Sequence, residues 1–248
     1  MSRLRQHVAA IAAAVSIGSM SFSAGAVEVF RVSDYDGGSQ IWFEAEAFDE
    51  RLPEGAQFFP ISGEGNAAKA PDDTFGEVVT RAGGAGGRLS YTFDISRAGG
   101  NGGTWYFFGR VINPSNQSDY MLVESHPDDD DIPDEPPFPG GDGVKPFDNA
   151  DDRIFEQDTP AWAWAILAHN EGHTKQLEDG ENTMHIFHRQ GNNTRVMDVF
   201  VWVDDVAYLP TDDDYISAEE KTSGLAVDSG AKLTTAWGRL KRRQSRLR

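Results

Sequence analysis

The residues whose spacing carries most chemistry are Glu44 and Glu46, in the run Ile41-Trp42-Phe43-Glu44-Ala45-Glu46-Ala47-Phe48. At i and i+2 on a strand, both carboxylates project from one face. Two adjacent carboxylates repel unless a proton or a cation stands between them. A hard divalent ion such as Ca²⁺ answers that need, because it accepts carboxylate and carbonyl oxygens together. A pair of exposed carboxylates on a wet face answers it as well. The other candidates form no comparable set. His169, His173, His185 and His188 show no His-Glu-x-x-His pattern, Glu171-Gly172 reads as a turn, and His185 and His188 fall on opposite faces of a strand. With no cysteine there is no disulfide framework, thiolate zinc site or thiol nucleophile. There is no Gly-x-Ser-x-Gly elbow, and the Gly83-Gly84-Ala85-Gly86-Gly87 run precedes a strand rather than a helix, so it is no phosphate loop. A glycosidase needs two carboxylates facing each other across a cleft, and nothing singles out such a pair among 40 acidic residues.

The elements that would position the glutamate pair are strands. Between residues 40 and 209 the dominant period is two. Strands are predicted at Gln40 to Ala47, Arg88 to Ile95, Thr104 to Ile112, Ser118 to Glu124, Trp162 to Leu167, Asn182 to Arg189 and Val196 to Val203. Gly-rich turns at 83–87 and 99–103 and the Asn113-Pro114-Ser115-Asn116 turn separate several of them. Short strands with turns between them indicate a β-sandwich. Residues 126–152, with Asp128-Asp129-Asp130-Asp131 and then Pro- and Gly-rich sequence, are too polar and too rich in proline for a strand. They read as a long acidic surface loop, either solvated or calcium-binding, although an EF-hand spacing is missing.

The chain has 248 residues and a formal charge of −18. Residues 1–26 resemble a secretory signal: Arg3 and Arg5, an apolar run from Val8 to Ile17, and Ala24-Gly25-Ala26 as the cleavage site. The expected location is therefore secreted, periplasmic or at the cell surface, without membrane insertion. Of 22 basic residues, two lie in that segment and six in the last ten residues, which leaves 14 against 40 acidic residues and a body charge of −26. Such a body repels nucleic acid and anionic membranes. Residues 211–235 read as a polar linker, so the expected division is 1–26 signal, 27–210 sandwich, and 211–248 linker and basic tail.

The order of motifs resembles the carbohydrate-binding modules of families six and thirty-five. The shared features are Phe43-Glu44-Ala45-Glu46, the aromatic strand Thr104-Trp105-Tyr106-Phe107-Phe108-Gly109-Arg110, Ser118-Asp119 opening the next strand, Trp162-Ala163-Trp164, the Leu177 to Ile186 turn and strand, and Asp198 after a Gly-bearing loop. The resemblance implies an all-β fold, a galactose-binding-like jelly-roll β-sandwich, here with a long acidic loop insertion. It implies a structural Ca²⁺ held by Glu44, Glu46 and Asp198, with carbonyls from the loop around Gly65 to Lys69. It implies a sugar cleft with Trp162 as the aromatic platform, Trp164 deeper and more core-like, and Asn192, Asn193 and Arg195 as donors, unless that loop is an ordinary polar turn. The expected partner is a polysaccharide or glycan, bound without chemistry. The alternatives are a structural or adhesive domain that meets a protein partner at the cell surface, and a polysaccharide-degrading enzyme on the same scaffold.

Overall fold

The computed structural model describes residues 27–222 except 66, 68, 83–85, 116, 130, 139–146, 148–149, 167–173 and 190–194. The signal-like segment and the basic tail lie outside the described residues. In chain order the strands are β1 (Val29–Ser33), β2 (Gln40–Glu44), β3 (Glu50–Leu52), β4 (Val79–Thr80), β5 (Arg88–Asp94), β6 (Gly103–Asn113), β7 (Asp119–Val123), β8 (Arg153–Ile154), β9 (Thr159–Ile166), β10 (Lys175–Leu177), β11 (Glu181–Phe187), β12 (Val196–Val203) and β13 (Glu219–Thr222). One short helix, α1 (Asp212–Ser217), precedes β13. The strands form two antiparallel sheets. The first runs β10-β6-β12-β2-β1-β13, with β4 on β12 and β9 on β6; the second runs β3-β5-β11-β7-β8. This is the β-sandwich that the alternation of apolar residues predicts, in the jelly-roll form that the motif resemblance implied.

That alternation sorts the side chains. On β7, Met121 and Val123 enter the core between the sheets, while Tyr120 and Leu122 face outward. On β12, Met197, Phe200 and Trp202 point inward and Val199, Val201 and Val203 outward, yet every residue of the strand is buried. Both outer faces are covered by the chain itself. Over the second sheet, Phe138 and Phe147 from the 126–152 insertion pack on Tyr120, Leu122 and Phe187. Over the first, Tyr208 and Tyr215 pack on Trp42, Phe108, Val199 and Val201.

Three differences from the sequence reading have physical causes. The insertion is not simply solvated, because Asp129 and Asp152 are buried around Lys175, whose Nζ lies 2.8 Å and 2.6 Å from them. The segment after 210 is not a weakly structured linker as far as Thr222. Thr211 and Asp214 close a capping box at the start of α1, and β13 pairs with β1 in the register Val29↔Thr222 to Val32↔Glu219. The first predicted strand stops at Glu44, and Ala45–Ala47 forms a 3-10 turn.

Candidate cation and aromatic site

β2 and β12 lie side by side, with Glu44 opposite Val199. The register of β12 against β6 shifts between Met197 and Val199, so Asp198 is the extra residue of a bulge. A bulge re-aims a side chain that regular pleating would send elsewhere. Asp198 thereby meets the segment Phe75-Gly76-Glu77. Its Oδ2 accepts from the Phe75 N–H at 3.3 Å, and the Gly76 N–H also serves it. Two residues along, the Glu77 N–H donates to Glu46 Oε1 at 2.9 Å. Glu44 and Glu46 both crowd Gly76: a Cβ there would stand 2.7 Å from Glu44 Oε2 and 2.6 Å from Glu46 Oε1. The glutamates meet because of the 3-10 turn, not because they share a strand face.

Burial, and then the charge of Glu44, raise the Glu46 carboxyl well above the usual carboxylate range. Burial pushes Asp198 up to about 6, against its backbone donors and the neighbouring Arg110. Glu46 Oε2 and Asp198 Oδ1 are both buried without a hydrogen-bond partner. Those two oxygens, and a cradle that only glycine leaves open, suit a hard cation. Asp198 stands apart from the glutamates and is held by Arg110 Nη1 at 2.6 Å. Among the described residues, no group of three His, Cys, Asp or Glu gathers closely enough to enclose a metal ion. Of the expected carbonyl loop, residues 66 and 68 lie outside the described residues.

Arg110, which ends the aromatic strand of the motif order, was not among the site residues expected from the sequence. Its guanidinium carbon lies 4.4 Å from the ring centroids of both Phe75 and Trp162. Beyond Asp198, it forms a two-pronged contact with Asp212 of α1, Nε to Oδ1 at 2.9 Å and Nη2 to Oδ2 at 2.8 Å. Trp162 is half-buried, and its indole N–H donates to the Asp72 carbonyl at 2.9 Å. Trp164 lies on the same face of β9, with its edge against Trp42 at 5.5 Å and its N–H on Asp212, so it belongs to the covered face. Tyr215 donates to Glu44 Oε1 at 3.1 Å; burial, then the Glu44 charge, raise its phenol.

The remaining predicted donors do not join Trp162. Asn192 and Asn193 lie outside the described residues. Arg195 is not at a cleft: it is fully buried, and its Nη1 donates to Asp119 Oδ2 at 2.7 Å. Asp119 also accepts from Arg81 Nη1 and the Arg189 N–H. An arginine is drawn inside because a buried carboxylate there needs charge. The Ser118-Asp119 pair signalled this position, but its arginines come from distant parts of the chain. Burial also pulls the Arg195 guanidinium down to about 9 and His188, packed between Phe58 and Phe59, down to about 4.

Ser90 Oγ lies 2.9 Å from His185 Nδ1, and His185 Nε2 lies 2.9 Å from Glu124 Oε1. Ser90 sits on an interior strand, with β11 on one side and β3 on the other. Ser90 and His185 are both buried between these strands. The string reads as a polar tie across three strands.

No protein-family model matches the sequence, and no curated protein matches it. Among solved structures, the chain is similar to the C-terminal family 6 carbohydrate-binding module of LamC, a marine laminarinase from Zobellia galactanivorans (11% identity, TM-score 0.39, 66% of this chain and 99% of that chain). It is similar to a family 35 carbohydrate-binding module from Clostridium thermocellum (10% identity, TM-score 0.40, 66% and 96%). A third likeness is to a β-(1,4)-mannanase from Podospora anserina that carries a family 35 module (11% identity, TM-score 0.41, 70% and 29%). No helix among the described residues is long and apolar enough to cross a membrane. Two of these three solved structures are carbohydrate-binding modules, and the third is an enzyme that carries one.

Proposed function

We propose that the protein is a secreted, non-catalytic carbohydrate-binding sandwich whose first and last core strands are tied by a structural calcium ion. The observation that carries the glycan reading is Trp162. It is a half-buried ring, braced through its N–H by the Asp72 carbonyl and through one face by Arg110. A pyranose lays its C–H face on such a ring while nearby polar groups take its hydroxyls. The variant Trp162→Ala is expected to lose at least tenfold in affinity on a glycan array or in affinity electrophoresis. Trp162→Phe, which keeps a ring over Arg110, should retain the melting temperature and part of the binding. A wild-type protein silent on every glycan would overturn the reading. It would favour the adhesive alternative, for which the covering of both outer sheet faces by the chain's own segments speaks.

Calcium is supported by the two orphaned buried oxygens and the Gly76 cradle. Glu44 and Glu46 would hold the ion from β2 and the turn after it, and Asp198 would have to move toward them from β12 to join. The bound ion would neutralise carboxylates that burial otherwise drives toward protonation. A ligand that binds only the folded state at about 100 times its Kd adds about 2.7 kcal/mol. That is roughly 5–10 °C for a body of this size. Calorimetry with EGTA, followed by calcium add-back, should show that loss and its recovery. Gly76→Ala, which fills the cradle, should abolish the difference. An unchanged melting curve in EGTA would remove the metal.

A further inference from the structure

We infer that the aromatic site at Trp162 takes an uncharged glycan and turns away uronate and sulfated ones, because the arginine against its ring is already engaged by carboxylates of the protein itself. The inference rests on the glycan reading above and names the ligand class. A guanidinium is the side chain best shaped to grip a carboxylate or sulfate, through two parallel N–H bonds. At the platform that group is Arg110, whose guanidinium carbon lies 4.4 Å from the Trp162 ring centroid. Phe75 lies against it at the same distance, and its side chain is only 2% exposed. Asp198 accepts from Nη1 at 2.6 Å, and Asp212 accepts from Nε and Nη2 at 2.9 Å and 2.8 Å. Every guanidinium nitrogen therefore has a carboxylate partner. Arg110 positions the ring and is not an anion hook.

The charge around the ring has the sign that repels an anion. One guanidinium faces two carboxylates, which leaves a surplus of negative charge. The carbonyl that holds the Trp162 N–H belongs to Asp72, and Asp72 and Asp73 are both exposed. Between Leu52 and Thr80, Lys69 is the one basic residue, against Glu54, Glu64, Asp72, Asp73 and Glu77. Arg195, the other cation expected at the cleft, is fully buried on Asp119. A neutral pyranose needs no cation, since its C–H face stacks on the ring and its hydroxyls donate to carboxylates and carbonyls. A carboxylate or sulfate on the sugar would lose water and meet like charge without a partner to offset either cost.

The test is affinity electrophoresis of the full chain at about 0.15 M salt, where the Debye length of about 8 Å screens the general charge of the body. The probes are polymers paired by backbone: hydroxyethylcellulose with carboxymethylcellulose, and methyl-esterified galacturonan with polygalacturonate. Laminarin and mannan serve as further neutral probes. Neutral polymers are expected to retard the wild type but not Trp162→Ala, and the charged member of each pair should bind at least about tenfold more weakly. Asp72→Lys keeps the backbone carbonyl under the indole and reverses the charge beside it. It should strengthen binding of the charged member about fivefold, the factor that one unit charge about 4 Å away is worth in water. Retardation by carboxymethylcellulose or polygalacturonate that equals the neutral partner's and is lost in Trp162→Ala would overturn the inference and leave the glycan reading standing. Absence of retardation by every polymer, neutral or charged, would overturn both.

Discussion

Replacing Lys175 by Met is expected to cost about 3–5 kcal/mol, the range for breaking a buried ion pair by removing one partner. Lys175 is 1% exposed on its side chain, and its ammonium touches both oxygens of Asp129 at 2.8 Å and Asp152 at 2.6 Å. Both carboxylates would be left in the interior without their ammonium partner. Asp129 in addition accepts the Val123 N–H, so the lysine locks the start of the insertion to the end of β7. Burial works to raise the Asp129 carboxyl, but His126, Lys175 and that backbone donor hold it below its ordinary value; burial prevails at Asp152, which is raised. Urea denaturation measures the loss. Binding of a hydrophobic dye should rise as Phe138 and Phe147 come off Tyr120, Leu122 and Phe187. A variant in which Lys175, Asp129 and Asp152 are all made apolar should recover most of the stability. A loss under about 1 kcal/mol for Lys175→Met would mean that the insertion is held by its phenylalanines alone.

The second large effect is expected at Asp119. Its carboxylate is fully buried and takes donors from Arg81, Arg195 and the Arg189 backbone. In Asp119→Asn the same guanidinium groups face an uncharged amide, and the cost should again reach about 3–5 kcal/mol. The pH dependence gives a separate reading. Burial alone would raise this carboxyl, but the charges of Arg81 and Arg195 outweigh it and hold the carboxyl below its ordinary value. A carboxyl that titrates lower in the folded state stabilises the protein above the unfolded value, about pH 4, and that contribution disappears as the pH falls through the folded value. The variant should therefore be less stable at pH 7 and lose less on acidification than the wild type. Parallel curves of stability against pH would show that Asp119 contributes no charge to this cluster.

Strand identity was legible wherever one strand carried its own pattern. Arg88-Leu89-Ser90-Tyr91-Thr92-Phe93 alternates, and β5 follows it. Val196 to Val203 was bounded to the residue. Short strands such as β3, β4, β8 and β10 carry two or three residues each, too few for a period to register. The helix α1 hid in an acidic stretch because three aspartates in a row read as solvated, whereas at a helix start they meet the free N–H groups and the positive end of the dipole. Glu44, Glu46 and Asp198 were named as a set through their motif; each reaches the Phe75-Gly76-Glu77 segment, but among the described residues they do not close into one group that could hold a metal ion. Arg195 was misplaced because a polar residue in a turn-like run gives no sign of whether its partner lies in solvent or in the core.

From its amino acids alone this chain determines an all-β sandwich, a strongly acidic body and the apposition of its opening and closing core strands, since these follow from periodicity, composition and motif order. Which charges are buried, and against what, was decided only by the tertiary structure. Lys175 meets Asp129, Arg81 meets Asp119, and Arg110 stands between Asp198 and Asp212 across separations of 38 to 102 residues. The physical reason is that a charge's energy depends on its distance to a partner and on the water it loses, and neither quantity is a property of a local stretch of chain.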